Sequence, residues 1–365
     1  AVLNKLKKEI PREMLLNASR QLQMEQAEIS SDYNIEIMED VFAAWNYNYN
    51  PELFLTAEEH WGKFKANISE NPGYLEEILD KYLLKNKHRL ALELLPDPNM
   101  LEKQHKRRTK RLNKIKNTFS KEDFTELEKK NKALQKKSLA TCKTFTLPQL
   151  DLTDIAEKPD PYPLQGEYLQ NEIYLQKAEL FTRDLLYFHC AFDLETLPAH
   201  LYDVLPFFCN FILHIGSEKS TYAQLAERTA QNACKIQAKL DICHSVAQAG
   251  KFRKILSFSL QSLEKTAESS LALLYEHINE KLFFERDKLK ELIRAYWASL
   301  SSDLQNNTNS YANIQAMKTL SEPSYLRDRW AGISHLKQAK IWRNSLDENI
   351  EEKMQLLNEL AQWLK

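Results

Sequence analysis

The stretch from Glu93 to Pro163 constrains the fold of this chain most, because it does not resemble the interior of a globular domain. Proline fixes φ near roughly −65° and removes a backbone donor, so proline-rich segments cannot be interior strands of a sheet. Six of the chain's twelve prolines lie here: Pro96, Pro98, Pro148, Pro159, Pro161 and Pro163. They predict stiff, extended arms that join two larger bodies.

Two helical patterns lie between the proline clusters, each with a thin apolar stripe on a charged helix. The stripes consist of Leu101, Leu112, Ile115 and Phe119, then Phe124, Leu127 and Leu134. Ser120, with Asp123 three residues later, is the predicted N-cap of the second helix. The pattern predicts a helical hairpin over residues 99–138 that packs chiefly on itself, followed by an extended connector over 139–165.

This hairpin is strongly basic, with fourteen Lys or Arg and five Asp or Glu between Leu101 and Lys137, or about +9 in formal charge. Such a charge favours either contact with nucleic acid, an anionic membrane or an acidic partner, or simple solubility of an exposed hairpin. Only Phe119 and Phe124 interrupt the cations as aromatic residues, which argues against base stacking. We therefore favour an exposed hairpin and expect no nucleic-acid partner.

Composition limits the remaining possibilities. A chain of 365 residues predicts two or three domains, and 50 Lys or Arg against 51 Asp or Glu give no global charge imbalance. Five cysteines without a C-x-x-C spacing indicate a reducing compartment and buried thiols. No apolar run reaches membrane-spanning length, so we expect no membrane partner. The first residue is not Met, which suggests a segment of a longer polypeptide.

Residues 1–98 predict mainly helices. Asn50 and Pro51 are a natural N-cap and first-turn pair, and Asn71-Pro72-Gly73 opens a further helix. The segment His88–Leu94 alternates polar and apolar residues and predicts a strand. One strand cannot form a sheet, so we interpret 1–98 as the end of an α/β domain.

Residues 166–365 predict an α+β fold in which helices cover one face of an antiparallel sheet. Two strands, at 172–180 and 185–193, are expected to form a hairpin. An apolar helix over 201–215 and a short helix near 222–228 follow. Two further strands lie at 234–242 and 256–260, and the chain is helical from 264 onward.

Several short motifs resemble, in their order and spacing, the presequence-protease branch of the insulinase-like zinc metallopeptidases. They are Leu94-Leu95-Pro96-Asp97-Pro98, Leu150-Asp151-Leu152-Thr153-Asp154-Ile155, Phe181-Thr182-Arg183-Asp184-Leu185-Leu186-Tyr187, Leu205-Pro206-Phe207-Phe208 and Gly216-Ser217-Glu218-Lys219. The resemblance covers residues from about 40 to about 345.

The resemblance implies a clamshell of two α/β halves that encloses and degrades short unfolded peptides, in the cytoplasm or an organelle matrix. Zinc and the catalytic residues would lie in an N-terminal domain that precedes this chain. The segment itself would need no cofactor and would supply a hinge and one chamber wall. The residues that we interpret as the hinge are Pro96, Pro98, Ser120, Pro159, Pro161 and Pro163.

No residue of this chain is predicted to be catalytic or to bind metal. An insulinase-like site needs H-x-x-E-H, and the nearest sequence, Thr56-Ala57-Glu58-Glu59-His60, has Thr in place of the first ligand. His189 and His244 lie in predicted strands and could approach each other on a sheet. Cys190 or Cys234 would need a positioned His to act as a nucleophile.

Two hypotheses therefore stand side by side. The chain is either the non-catalytic middle of a peptidase or an inactive relative that acts as an interaction or adaptor module. One departure from the resemblance affects both, because Ala233-Cys234 stands where relatives tend to carry a Gly pair before a strand. Loss of glycine removes access to positive φ and close backbone approach, which brings substrate contact at this wall into question.

Overall fold

A computed structural model describes residues 2–139, 151–155, 163–170, 173–232 and 234–365. The chain divides into two compact units: Ala1–Leu84 together with Phe181–Lys365, and Lys85–Leu180. The predicted boundaries at 98, 138 and 165 refer to family domains and stay a prediction.

Fifteen α-helices lie in the described residues. They are α1 (Val2–Leu6), α2 (Arg12–Ala27), α3 (Tyr33–Asn46), α4 (Ala57–Glu70), α5 (Tyr74–Ile78), α6 (Met100–Thr118), α7 (Lys121–Leu139), α8 (Leu205–Phe211), α9 (Tyr222–Asn232), α10 (Ala267–Asn279), α11 (Arg286–Asn306), α12 (Thr308–Met317), α13 (Glu322–Ala331), α14 (Ile333–Asn344) and α15 (Ile350–Trp363). The strands are β1 (Leu164–Leu169), β2 (Ile173–Ala178), β3 (Leu185–Asp193), β4 (Gly216–Ser217), β5 (Lys235–His244), β6 (Phe252–Leu263) and β7 (Leu282–Phe283).

The central sheet is antiparallel, with β6 between β3 and β5. The predicted hairpin of the strands at 172–180 and 185–193 is therefore wrong, because β2 pairs with β1 and β3 pairs with β6. Burial explains this difference. Alternate residues are buried along β6 and half-buried along β3, whereas the side chains of β1 and β2 are almost all exposed and specify no partner in the larger sheet.

One face of this sheet packs on helices and forms the main core. Phe258 and Leu260 of β6 belong to the same buried cluster as Phe207, Phe208 and Phe211 of α8. Phe207 stacks on Trp342 of α14 with ring centroids 3.8 Å apart. Each such side chain stabilises the fold by roughly 1.5–3 kcal/mol on burial, so this cluster fixes the sheet against the helices. The predicted α+β class is confirmed.

The helix predicted over 201–215 is divided into three pieces. A 3₁₀ turn, Ala199–Leu201, precedes α8, and a second 3₁₀ turn, Ile212–His214, follows it. Pro206 occupies the first turn of α8, where its missing N–H leaves no helical hydrogen bond unmade. Apolar periodicity alone did not indicate this interruption.

Helix α2 packs against the body formed by residues 181–365. Its Met24 is buried with Leu185 and Leu263 at one end of the central sheet. Arg20 donates a hydrogen bond to the Gln231 carbonyl at 2.9 Å, and Glu28 pairs with Lys235 at 2.7 Å. The polar N-terminal region is thus tied to residues far away in sequence.

The second compact unit contains α6, α7 and the β1–β2 hairpin. The strand predicted at His88–Leu94 is absent: this segment is irregular, and Leu90, Leu92 and Leu94 are exposed. Alternation of polar and apolar residues was not sufficient to form a strand, because a strand also needs a partner and no described strand pairs with this segment.

The helices α6 and α7 form where predicted, and the contact predicted near the tip of the hairpin is present, but the apolar stripes are only partly covered. Phe119 and Phe124 contact edge to face at the tip, with centroids 5.4 Å apart. Elsewhere the stripe is solvated, with Leu112 and Leu127 about half exposed (53% and 52%). The ion pairs Glu102–Lys106, Glu126–Lys130 and Glu128–Lys132 each lie within one helix, so charge does not hold the two helices together.

Candidate functional site

The face of the central sheet opposite the helices is polar, and we call it the open face. Its side chains are half-buried or exposed. They are Tyr187 and His189 of β3, Ser257, Ser259 and Gln261 of β6, and Gln237, Lys239 and Asp241 of β5. Alternation along each strand produces this face directly, since successive side chains point to opposite sides of a sheet.

Strand β5 is an edge strand of the described sheet, and the register determines which of its backbone groups face outward. Ser245 donates its N–H to Lys251 at 2.9 Å, so odd-numbered positions of β5 bond to β6. Even-numbered positions then direct their N–H and C=O groups away from β6. Consistent with this parity, the Ile242 N–H donates to the Asp241 carboxylate at 2.7 Å instead of to a strand.

A groove of about 420 Å³ lies along this edge, and we call it the edge groove. One side is β5 itself, from Ala238 to Ile242. The opposite side comes from four helices, with Pro206 of α8, Tyr296 of α11, Ile314 of α12, and Arg327 and Trp330 of α13. The lining therefore combines apolar side chains with backbone groups that pair with no described strand, which is the arrangement that binds an extended chain.

The charge in the edge groove comes from few groups. Arg327 is exposed and pairs with no carboxylate in the described residues, whereas Arg329, two positions later, pairs with Asp203 at 2.7 Å. Cys209 also lines the groove, but burial raises the pKa of its thiol to about 12, so it stays neutral and unreactive. The groove thus has features of a binding site and none of a nucleophilic site.

The sequence nearest to a zinc motif, residues 56–60, lies at the start of α4. His60 is exposed, and its Nε2 lies 3.4 Å from Thr56 Oγ, one helical turn earlier. No cluster of three or more His, Cys, Asp or Glu side chains able to hold a metal occurs in the described residues.

The two strand histidines do not meet. His189 lies opposite Ser259, and His244 lies opposite Phe252, seven positions away along β6. At about 3.3 Å per residue, this separates them by roughly 20 Å along the strand direction, besides the width of β6. The hypothesis that they approach each other on the sheet is therefore wrong.

The strand cysteines are unsuited to nucleophilic chemistry. Burial raises the pKa values of both Cys190 and Cys234, which disfavours the reactive thiolate. Cys234 Sγ also contacts the Thr229 carbonyl at 3.8 Å, as a buried structural thiol would.

The predicted hinge residues that the structure describes lie in three places, before α6, before α7 and before β1. Pro96 and Pro98 are exposed and flank Asp97, whose carboxylate accepts hydrogen bonds from Lys103 Nζ at 2.7 Å and from the Asn99 N–H at 2.9 Å. The Lys103 hydrogen bond in particular lowers the pKa of Asp97. Asp97 thus stabilises the start of α6, a role that the sequence analysis missed although an Asp shortly before a helix indicates one.

At the other end of α6, Ser120 forms the predicted N-cap of α7. Its Oγ accepts the Asp123 N–H at 3.1 Å, and the Asp123 carboxylate accepts the Ser120 N–H at 2.7 Å. Pro163 is exposed directly before β1, while Pro159 and Pro161 lie outside the described residues. Their hinge role stays a prediction.

A family model for the region associated with peptidases of family M-16, subfamily C, matches residues 94–341, more than half of the chain. The matched region includes the central sheet and the residues that line the edge groove. The chain belongs to this peptidase-associated family.

Curated relatives agree with this family. The mitochondrial presequence protease of Danio rerio is 24% identical over 311 residues, which cover 85% of this chain and 30% of that protein. Presequence protease 1, chloroplastic/mitochondrial, of Arabidopsis thaliana is 22% identical over 344 residues, covering 90% and 31%. Protein HypA of Clostridium perfringens is 22% identical over 306 residues, covering 83% and 31%. The resemblance to presequence proteases is confirmed.

This member of the peptidase-associated family spans about 30% of the length of the relatives cited. Among the described residues, no helix combines the length and apolar character needed to cross a membrane.

Proposed function

We propose that this chain is a non-catalytic part of a longer zinc metalloendopeptidase that degrades short unfolded peptides in a closed chamber. The open face of the central sheet, covered by helices on its other side, carries this proposal, because it is polar, broad and suited to line an enclosed space. The relatives support it, since proteins named presequence proteases share this region.

In this proposal the zinc ion and its H-x-x-E-H helix belong to another part of the enzyme, and this chain contributes a wall and a hinge. Peptides are the substrates, and the catalytic domain of the same polypeptide is the main partner. The exposed alternating leucines Leu90, Leu92 and Leu94 would pair with a sheet in that polypeptide. The organelles in the relatives' names support an organelle matrix, with the cytoplasm as the alternative.

The test compares this chain with the complete reading frame. We expect purified residues 1–365, incubated with zinc, to leave a quenched fluorescent peptide uncut, because no described group can activate a metal-bound water. The complete protein should cut the same peptide and stop when a chelator is added.

A His60→Ala variant is the matched control for the nearest zinc-like sequence and should behave as the parent does. Chelator-sensitive turnover by residues 1–365 alone would refute the non-catalytic assignment. Inactivity of the complete protein would instead support the adaptor hypothesis.

A further inference from the structure

We propose that the edge groove binds an extended peptide, which adds to β5 as a further strand of the central sheet and places a carboxylate against Arg327. This inference rests on the proposed function only for the class of ligand. Binding at the groove and cleavage by the complete enzyme are separate measurements.

The backbone of β5 provides the first argument. By register, Ala238 and Leu240 direct their N–H and C=O groups away from β6 at the groove, and Ile236 continues this outward-facing row just before the groove begins. A peptide aligned with them would form the regular ladder that β6 forms on the other side. Ile242 ends this row, because its N–H is already bonded to the Asp241 carboxylate. The available row therefore spans three outward-facing positions.

The opposite wall explains why a single chain fits. Ile314 and Trp330 face β5 across the groove, and Trp330 is held by a hydrogen bond from its Nε1 to the Tyr202 carbonyl at 3.2 Å. A second copy of this chain would bring its own helix-covered sheet against α12 and α13. One extended peptide needs only the space between the strand and the helices, and its apolar side chains can contact this wall.

Charge selects the peptide further. Arg327 and Lys239 are the cations at the groove, and the described residues show no carboxylate partner for either. Lys239 belongs to the open face by alternation along β5, whereas Arg327 lies on the helical wall, and its guanidinium can bind a carboxylate with charge-assisted hydrogen bonds. The neighbouring Asp241 is already engaged by the Ile242 N–H. A peptide with an acidic side chain or a C-terminal carboxylate near Arg327 is therefore favoured over a basic one.

The test measures binding of fluorescein-labelled peptides to residues 1–365 by anisotropy. The probe alternates Val and Thr around one Glu. Its first control has alternate backbone amides N-methylated, and its second has Gln in place of Glu. We expect N-methylation to weaken binding about tenfold or more, because it removes ladder hydrogen bonds and leaves the side chains unchanged.

Two variants test the protein side. Ala238→Pro removes an outward N–H without breaking a bond to β6, and edge strands tolerate proline at such positions. This variant should bind the Glu probe about tenfold more weakly than the parent does, and its circular dichroism spectrum should be unchanged. Arg327→Gln should weaken binding of the Glu probe and leave binding of the Gln probe unchanged. The control is Arg343→Gln on α14, where the guanidinium contacts Asn344, and it should change the binding of neither probe.

The outcomes separate the alternatives. Equal binding of the N-methylated and plain peptides would overturn strand addition, and so would self-association of the chain that Ala238→Pro abolishes. If Arg327→Gln weakened binding of the Glu and Gln probes equally, the proposed contact between Arg327 and a carboxylate would be overturned. If the complete enzyme cuts peptides but residues 1–365 do not bind the probe, this inference fails while the proposed function stands.

Discussion

At the scale of single residues, local chemistry was predictable and distant partners were not. The reciprocal bonds of Ser120 and Asp123 follow from their spacing, because both ends of the interaction lie within one helical turn. Tyr296 and His335 form a buried contact at 2.7 Å, but they lie 39 residues apart on different helices. Sequence patterns show that such residues are near apolar neighbours and do not show which pair meets.

His277 and His335 predict loss of stability in mild acid. Burial lowers the pKa of each from 6.5 to about 4, so below pH 6.5 the unfolded chain binds protons that the folded chain does not. The free energy of unfolding should therefore fall as pH decreases from about 6.5 to about 4. Each histidine contributes on the order of 3 kcal/mol over that range.

Urea unfolding at pH 7.5, 6 and 5 measures this effect. The double variant His277→Gln and His335→Gln should start less stable at pH 7.5 and decline less between pH 7.5 and 5. His88→Gln, at an exposed position, is the control and should follow the parent. The same decline in the parent and the double variant would assign the acid sensitivity to other groups.

At the scale of elements, the strands whose alternation matched a buried face were placed correctly, namely β3, β5 and β6. The pairing of strands was harder to predict than their positions, because β2 precedes β3 directly in the chain and yet pairs with β1. The edge groove was not predicted either, because it also depends on which distant segments meet. Its walls come from β5 and from helices up to about 90 residues away, and no local pattern relates them.

The junction of α13 and α14 predicts a strong requirement for glycine. Gly332 has φ −104°, so the backbone conformation is ordinary and space is the limit. An added Cβ would lie 2.7 Å from Ile314 Cγ2 and would collide with the carboxylate of Asp328, which is buried and bonded to Ser334. Gly332→Ala should destabilise the fold by about 1–3 kcal/mol.

The matched control is Gly62→Ala in α4, where the added Cβ would meet no described atom within 4 Å apart from its own stretch of helix. This change should be neutral or stabilise by up to about 1 kcal/mol, because alanine favours the helix. Chemical denaturation of both variants gives the comparison. Equal stabilities would show that the α13–α14 junction relaxes without cost.

At the scale of the whole molecule, the order of short motifs was enough to identify the family, while the grouping of segments was not. Residues 1–98 were interpreted as the end of an α/β domain, and that assignment stays a prediction. The structure groups Ala1–Leu84 with Phe181–Lys365, and α2 is attached through Met24 and Arg20, with Glu28 following directly after the helix. Glu13 and Gln23 of α2 add hydrogen bonds with Gln231 and Lys265. Most of these contacts are polar, so they do not show as an apolar stripe in the sequence.

The last prediction concerns the proposed hinge. Proline restricts its own φ and biases the preceding residue toward extended conformations, so Pro159, Pro161 and Pro163 should make a stiff arm. In the complete enzyme, replacing all three with Gly should loosen opening of the proposed chamber and leave the zinc site intact. Cleavage of a very short peptide should change little, whereas discrimination against longer peptides should weaken.

Turnover of a peptide series of increasing length, together with small-angle scattering, measures both effects. Pro72→Gly is the control, because Pro72 is exposed in a turn and lies outside the connector. It should leave the length limit and the scattering profile unchanged. If the triple variant keeps the parent's length limit and scattering profile as well, the arm does not govern opening, and the hinge must lie in another part of the chain.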